Sequence, residues 1–377
     1  MLRNSEGRTM PTLRKPEETL VAGGVKLLEA PVTIRQTVAR DADKCPRRAV
    51  LSHRFGLTPK ARRYNSNLHT GSVTHAILAA HYTERPDPEQ AGIDLYDAEM
   101  AHFSALAEDD LEGTFDKALK SLDKDTKLGV AIARMFWKLY PLNRKTHKVV
   151  GTEVQLTAEI KLGAVDSVGV TAVLSGTLDV LLEPLTGPVA GGVFVADHKT
   201  TARNPHDLVG GLEWAYQTRI YRVLAARNLG RKIAGFIYNF IQKPAIRFCG
   251  KDKGVFDNYV NRCWEWFEDE KRDMKPATSF GFMFNEPLVA PGFEQDLRRL
   301  GYWMCHDFCH EEEGALNGFP LYLFPRRWAD CYKCPFKILC DASTTEWGRI
   351  IKAHYTQDFT GYADAEEKGM VLDEFSR

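Results

Sequence analysis

Residues 175–201 read SGTLDVLLEPLTGPVAGGVFVADHKTT, and this stretch decides the fold class. Two apolar runs, each carrying an acidic residue, flank a turn marked by Pro184, Gly187, Pro188, Gly191 and Gly192. Side chains alternate along a strand with period two, so Asp197 and Lys199 share one side of the second run. If the two runs pair as a hairpin, Asp179 lies beside them. Two carboxylates and one lysine then converge at one sheet edge, a set suited to phosphodiester hydrolysis. Carboxylates hold a hard cation such as Mg2+ or Mn2+, and a lysine orients or deprotonates the nucleophile. A solvated edge strand can carry the same D-x-K triplet, so its neighbours must decide.

Working outward, strands are expected at 148–160, 168–183, 191–199 and 232–242. Helices are expected at 72–83, 96–107, 114–140, 206–228, 256–272 and 291–312. In the third of these, Leu128, Ile132, Met135, Phe136 and Leu139 recur at helical spacing. Strands followed by a helix and a further strand, with helices before and after, predict an α/β or α+β core. The chain divides into a polar lead over 1–40, one domain over 41–345 with a helical insert at about 84–147, and an acidic tail over 346–377.

After the hairpin comes EWAYQTRIYRVL at 213–224, where Gln217 and Tyr221 stand four apart on one helical face. Upstream, Gly71-Ser-Val-Thr-His75 precedes an apolar helical run. His81, nearly two turns further on, reads as structural. G-x-x-x-H, G-x-L-D, D-x-K-T and Q-x-x-x-Y, in that order, resemble the RecB-family exonuclease branch of the PD-(D/E)XK nucleases. The resemblance implies a restriction-endonuclease-like mixed central sheet flanked by helices. It implies His75, Asp179, Asp197 and the main-chain carbonyl of His198 as metal ligands, with Lys199 as the catalytic lysine. Gln217 and Tyr221 would position substrate or water, and Glu153 in GTEVQL falls where such nucleases carry a further acidic residue. The proline-aspartate step of the family's name is Leu178-Asp179 here.

Near the C-terminal end stands ADCYKCPFKILCD, in which Cys331, Cys334 and Cys340 follow C-x2-C-x5-C. Three cysteines within ten residues read as metal ligands before they read as core residues. Cys45, in KCPRR, is the fourth candidate. One early and three late cysteines resemble the iron–sulfur subset of the RecB-like nucleases, which includes AddB-type subunits and CRISPR-associated adaptation nucleases. There a 4Fe–4S cluster ties the two ends of the nuclease domain together; four thiolates also satisfy structural Zn2+. A weaker candidate is MCHDFCH at 304–310, whose Cys305/Cys309 and His306/His310 are i,i+4 pairs.

The chain has 377 residues, with 50 basic and 50 acidic ones. Net neutrality argues against a uniformly basic coat protein, yet charge is segregated. Between Lys44 and Tyr82 seven basic residues occur and no acidic one, so Arg47, Arg48, Arg54, Lys60, Arg62 and Arg63 are candidate DNA-backbone contacts. No signal-peptide pattern and no run of about 18 apolar residues occurs, which predicts a cytoplasmic protein without a membrane span. No G-x-x-x-x-G-K-[S/T] is present, so there is no ATP site in this chain. The expected activity is a metal-dependent DNA nuclease using metal-activated water, exonucleolytic on single strands or ends, in recombination, repair or replication. A helicase or recombination protein would act in trans. Two alternatives are a catalytically silent DNA-binding scaffold subunit and a restriction-like endonuclease.

Overall fold

The computed structural model describes residues 18–21, 25–28, 33–60, 64–107, 114–165, 168–212, 215–252, 256–269, 277–284, 288–289, 291–305, 331–332, 334–343 and 346–357. Its centre is a five-stranded mixed sheet in the order β4 (His147–Val165), β5 (Val168–Pro184), β6 (Val193–Thr201), β7 (Ile233–Gln242) and β8 (Ala277–Met283). Only β6 and β7 run parallel; the other neighbours are antiparallel. A parallel pair needs a crossover, supplied here by a short 3-10 turn at Pro205–Leu208 and helix α6 (Tyr216–Leu229).

Alternation along the strands builds two apolar faces. Val193 and Val195 of β6, with Phe236, Tyr238 and Phe240 of β7, face a core completed by α6, α8 (Pro291–Cys305) and α10 (Trp347–His354). Ala196 and Ile241 face the opposite core, filled by α3 (Ser66–Tyr82), α5 (Thr114–Leu139) and α7 (Phe256–Glu268). The central strands β6 and β7 are buried on both sides, as strands between helical layers must be, whereas the edge strand β8 alternates between buried or intermediate and exposed residues. Helix α4 (Gln90–Ala107) packs outside α3 and α5.

Several expected boundaries shift. The helix expected from 206 begins only at Tyr216, because Gly211 adopts a left-handed φ of 78° and interrupts the run. It ends as expected, with Gly230 in the left-handed C-cap position. Helix α3 starts at Ser66 rather than 72, where the Asn65 side chain accepts from the Leu68 amide. The strand β8 (ATSFGFM) was not expected; edge strands bury little and give a weak apolar pattern. Helix α1 (Gln36–Lys44) begins inside the expected polar lead, with Val38 and Ala39 buried. A two-stranded hairpin of β1 (Glu18–Val21) and β2 (Val25–Leu28) precedes it.

The expected tail from 346 contains α10 and β9 (Tyr355–Gln357), which pairs antiparallel with β3 (Leu57–Pro59). Trp347 is buried and meets the Phe55 ring edge-on at 6.1 Å. The early and late parts of the domain are thus joined by a strand pair and an aromatic contact. Residues 358–377 lie outside the described residues, as do Arg62, Arg63 and 306–310 of the MCHDFCH stretch. No helix among the described residues is long and apolar enough to cross a membrane.

Candidate active site

The site opens where two strands part. The ladder between β5 and β6 covers Val180↔Ala196, Leu181↔Val195 and Leu182↔Phe194, whereas β6 stays paired with β7 as far as Thr201↔Gln242. Beyond Ala196, the main-chain groups of β6 that would face β5 lack a ladder partner. Buried main-chain groups require partners from elsewhere. The His198 amide donates to Asp179 Oδ2 (2.8 Å), and the His198 carbonyl accepts from His75 Nε2 (2.8 Å). His75 Nδ1 lies 3.4 Å from the same Asp179 oxygen. The splayed strands and helix α3 therefore bring His75, Asp179 and the His198 carbonyl together.

Glu153 joins them through an irregularity in β4. The register of β4 on β5 shifts between Val149 and Gly151, and Glu153 itself has a φ of 48°. A bulge re-aims side chains, and a left-handed non-glycine residue costs about 1–3 kcal/mol unless its surroundings impose it. The strained residue stands opposite Asp179, between the paired Thr152↔Val180 and Val154↔Leu178. One ligand atom each from His75, Glu153 and Asp179 lies within 4.8 Å of the others. An imidazole and two carboxylates at that spacing fit a divalent cation of the Mg2+ or Mn2+ type.

The protonation pattern fits a cation-binding set occupied by protons. Burial opposes charge on His75, but the Asp179 carboxylate and its hydrogen bond outweigh it and push the imidazole up to about 9. Burial likewise opposes charge on Asp179, yet His75 and then Lys199 hold its carboxyl well below the usual range. Desolvation, and then the charge of Asp179, push Glu153 up to about 7. Glu153 is nonetheless exposed as a residue, so solvent ions can reach it from the cleft.

Asp197 and Lys199 share one side of β6, as the alternation requires. Lys199 Nζ donates to Asp197 Oδ1 (2.9 Å) and lies 2.7 Å from Oδ2. Gln217 Nε2 donates to the same Oδ1 (2.6 Å), and its side chain also hydrogen-bonds Tyr221 one turn along α6. Tyr221 reaches this position over Gly176, where a Cβ would come within 2.7 Å of the ring. Asp197 is 1% exposed, and burial, partly offset by Lys199, pushes its carboxyl up to about 6. Asp197 is thus engaged by Lys199 and Gln217 rather than grouped with the three ligand atoms.

A cleft of about 660 Å³ is lined among others by His75, Glu153, His198 and Lys199. Its floor is a stripe of α3, running Asn67, Leu68, Gly71, Ser72, His75 and Ala76. Leu68 in this stripe is 64% exposed, and Lys243 Nζ donates to Oδ1 of the lining residue Asn67 (2.9 Å). Lys243 was missed in the sequence: it follows an apolar strand, and only the pairing of β7 with β6 places it here. His81 lies outside this site, stacked on Trp137 at 4.4 Å.

Among the described residues, Arg47, Arg48 and Lys60 do not line the cleft. Arg48 lies 3.4 Å from Asp41, and Lys60 donates to the Lys352 carbonyl (2.6 Å). Arg47 stands in helix α2 (Pro46–Ala49); Arg54 ends a π-helical stretch at Val50–Arg54, and its side chain lies outside the described residues. Arg48 instead approaches the cysteines. Burial pushes the Cys334 thiol up, Cys45 and Cys331 push it the same way, and Arg48 pulls it down. Cys340, in helix α9 (Lys337–Asp341), shares with Cys334 the neighbourhood of Tyr355, pushed up to about 12 first by burial. Cys45 and Cys331 thus lie within electrostatic reach of Cys334, and Cys334 and Cys340 of Tyr355, but among the described residues only His75, Glu153 and Asp179, and not the cysteines, stand at the spacing of a common metal site.

No curated protein matches the chain. A solved structure described as that of SSO0001 is 12% identical, covers 72% of this chain and 85% of that one, and has a TM-score of 0.25. That likeness is too loose to bear on fold or chemistry. The sequence profile of the PD-(D/E)XK nuclease superfamily matches residues 36–341. The match runs from α1 to α9 and takes in every strand of the five-stranded sheet, so the chain belongs to the PD-(D/E)XK nuclease superfamily.

Proposed function

We propose that the protein is a Mg2+- or Mn2+-dependent deoxyribonuclease, acting as an exonuclease on single strands or DNA ends in recombination, repair or replication. The observation that carries this reading is the convergence of His75, Glu153 and Asp179, the first two lining the cleft that Lys199 also lines. A divalent cation bound there supplies charge neutralisation at the scissile phosphate and a lower pKa for the attacking water. His75, Glu153, Asp179 and the His198 carbonyl would hold it. Asp197 would add a further carboxylate to that set, and Lys199, which pairs with it, would meet the substrate phosphate.

The other groups act by holding and orienting. Lys199 presents an ammonium to the charge that develops on the phosphoryl oxygens. Gln217, tied to Asp197 and Tyr221, fixes the direction from which Lys199 approaches. Lys243, bonded to the lining residue Asn67, offers a cation to the backbone of the incoming strand. This chain carries no P-loop, so a partner motor or a pre-existing end would present the strand. The decisive assay uses end-labelled linear single strands, duplexes, closed circles and RNA with Mn2+. Progressive shortening of linear DNA alone supports the reading; cleavage of closed circles contradicts its exonuclease part, and inert DNA overturns it.

The cleft floor supplies a sharper test. A Cβ at Gly71 would meet nothing nearer than Thr200 Oγ1 at 4.0 Å, so a side chain leaves the helix there without a clash at its first atom, and Gly71→Leu adds bulk to the stripe. Replacing a mid-helix glycine adds about 0.5–1 kcal/mol of helix stability. The variant is expected to keep its thermal midpoint and Mn2+ binding while its KM for single-stranded DNA rises tenfold or more. An unchanged KM would place the strand elsewhere.

For the cysteines we propose a 4Fe–4S cluster held by Cys45, Cys331, Cys334 and Cys340, with structural Zn2+ as the alternative. Anaerobically purified protein is expected to be brown, to contain iron and sulfide, and to lose its colour in Cys334→Ser. Stoichiometric zinc without iron would replace the cluster by zinc.

A further inference from the structure

The residue between Asp197 and Lys199 faces the opposite side of the sheet, among Ala196, Ile241 and the helices of the second core. An aliphatic side chain would fill that position without a polar requirement. Here it is His198, 1% exposed, with burial holding the imidazole neutral. Burying a polar ring is costly unless its nitrogens are matched, and both are. Asn239 Nδ2 lies 3.3 Å from Nδ1, and Tyr82 Oη lies 3.3 Å from Nε2. Asn239 is the register partner of His198 on β7, and Ser279 is the partner of Asn239 on β8. The Ser279 hydroxyl donates to Asn239 Oδ1 (2.5 Å), which turns the Asn239 amide nitrogen toward the imidazole.

The rings add a second constraint. Tyr82 stacks on His198 at 5.7 Å, and Phe136 meets it edge-on at 4.9 Å. Tyr82 follows His75 by seven residues, two turns along α3 and on the same face. The Tyr82 carbonyl accepts from Arg144 (2.6 Å), which anchors that end of the helix. The distance between α3 and β6 is therefore set at two points, the Tyr82–His198 contact and the His75–His198 carbonyl bond.

We propose that the His198 imidazole is a positioning residue: with Tyr82, Asn239 and Ser279 it fixes the main chain whose carbonyl and amide meet His75 and Asp179, and so sets the geometry of the divalent-cation site. The proposal rests on the metal-site reading above. Partners that orient metal ligands from behind change metal affinity about 10- to 100-fold when removed. A residue that merely fills the core would change thermal stability and leave affinity alone.

The test is Mn2+ titration followed by the electron paramagnetic resonance of free Mn2+, with thermal midpoints measured in EDTA. Tyr82→Phe keeps the ring and removes one hydroxyl, so the fold is retained; its Kd for Mn2+ is expected to rise about tenfold. His198→Leu is expected to lose more, and His198→Gln, whose amide can restore a polar contact, to recover part of that loss. Wild-type Kd in both Tyr82→Phe and His198→Leu would overturn the positioning role while leaving the metal site intact. A wild-type protein that binds no Mn2+ would overturn the metal-site reading, and this role with it.

Discussion

Replacing Lys199 with alanine is expected to slow phosphodiester cleavage about a thousandfold with the fold retained. Lys199 lines the same cleft as His75 and Glu153, whose ligand atoms group with that of Asp179. Its removal deprives Asp197, a buried carboxylate, of its cation. A buried unpaired carboxyl resolves that cost by taking up a proton, so chemistry suffers more than folding. Lys199→Gln separates the two effects. Its amide can still donate to Asp197 but carries no charge, so the thermal midpoint should stay near wild type while the rate falls as in the alanine variant. A Lys199→Gln rate near that of wild type would show that a hydrogen bond, and not a cation, is what the site requires.

The second large effect is on pH. A cation and a proton compete for the lone pairs of His75 and Glu153, which hold their protons up to about 9 and about 7. Mn2+ affinity is therefore expected to rise with pH by about tenfold per unit for each proton displaced. Two protons are displaced below about pH 7 and one between there and about pH 9. Calorimetry in buffers of different ionisation enthalpy counts them directly. Without metal the sign reverses for His75, whose ordinary value is 6.5. A group raised on folding stabilises the fold fully below its unfolded pKa and loses that contribution as pH climbs through the folded one. The His75–Asp179 pair thus supports the metal-free protein below pH 6.5 and is lost toward pH 9. A Mn2+ affinity that is flat from pH 6 to 9 would contradict this assignment of the ligands.

The residues proposed for the chemistry are legible in the sequence because each lies in a short, rigid local frame. Strand alternation alone put Asp197 beside Lys199, and the helical i,i+4 spacing put Gln217 beneath Tyr221. The pairing of strands around residues 175–201 was legible from turn residues between apolar runs. What escaped depends on long-range placement. Nothing local marks Lys243 as a partner of the lining residue Asn67, or Tyr82 and Asn239 as partners of His198; the ladders and the α3 contact create those neighbours. Glu153 was named in sequence, but its left-handed backbone follows from the β4 irregularity and has no local signature. The basic run at 44–63 is legible as a charge pattern, and its described members Arg48 and Lys60 also make contacts within the domain, to Asp41 and to the Lys352 carbonyl.

The central claim is that His75, Glu153 and Asp179 form a divalent-cation site that drives phosphodiester hydrolysis. It is tested most directly by measuring bound Mn2+ and the cleavage rate of linear single-stranded DNA in the same titration, for wild type and for Asp179→Ala. Rate is expected to follow occupancy in the wild type, with EDTA abolishing both and Asp179→Ala losing both together. Cleavage that persists in EDTA, or an Asp179→Ala protein that binds Mn2+ and cuts as well as wild type, would contradict it.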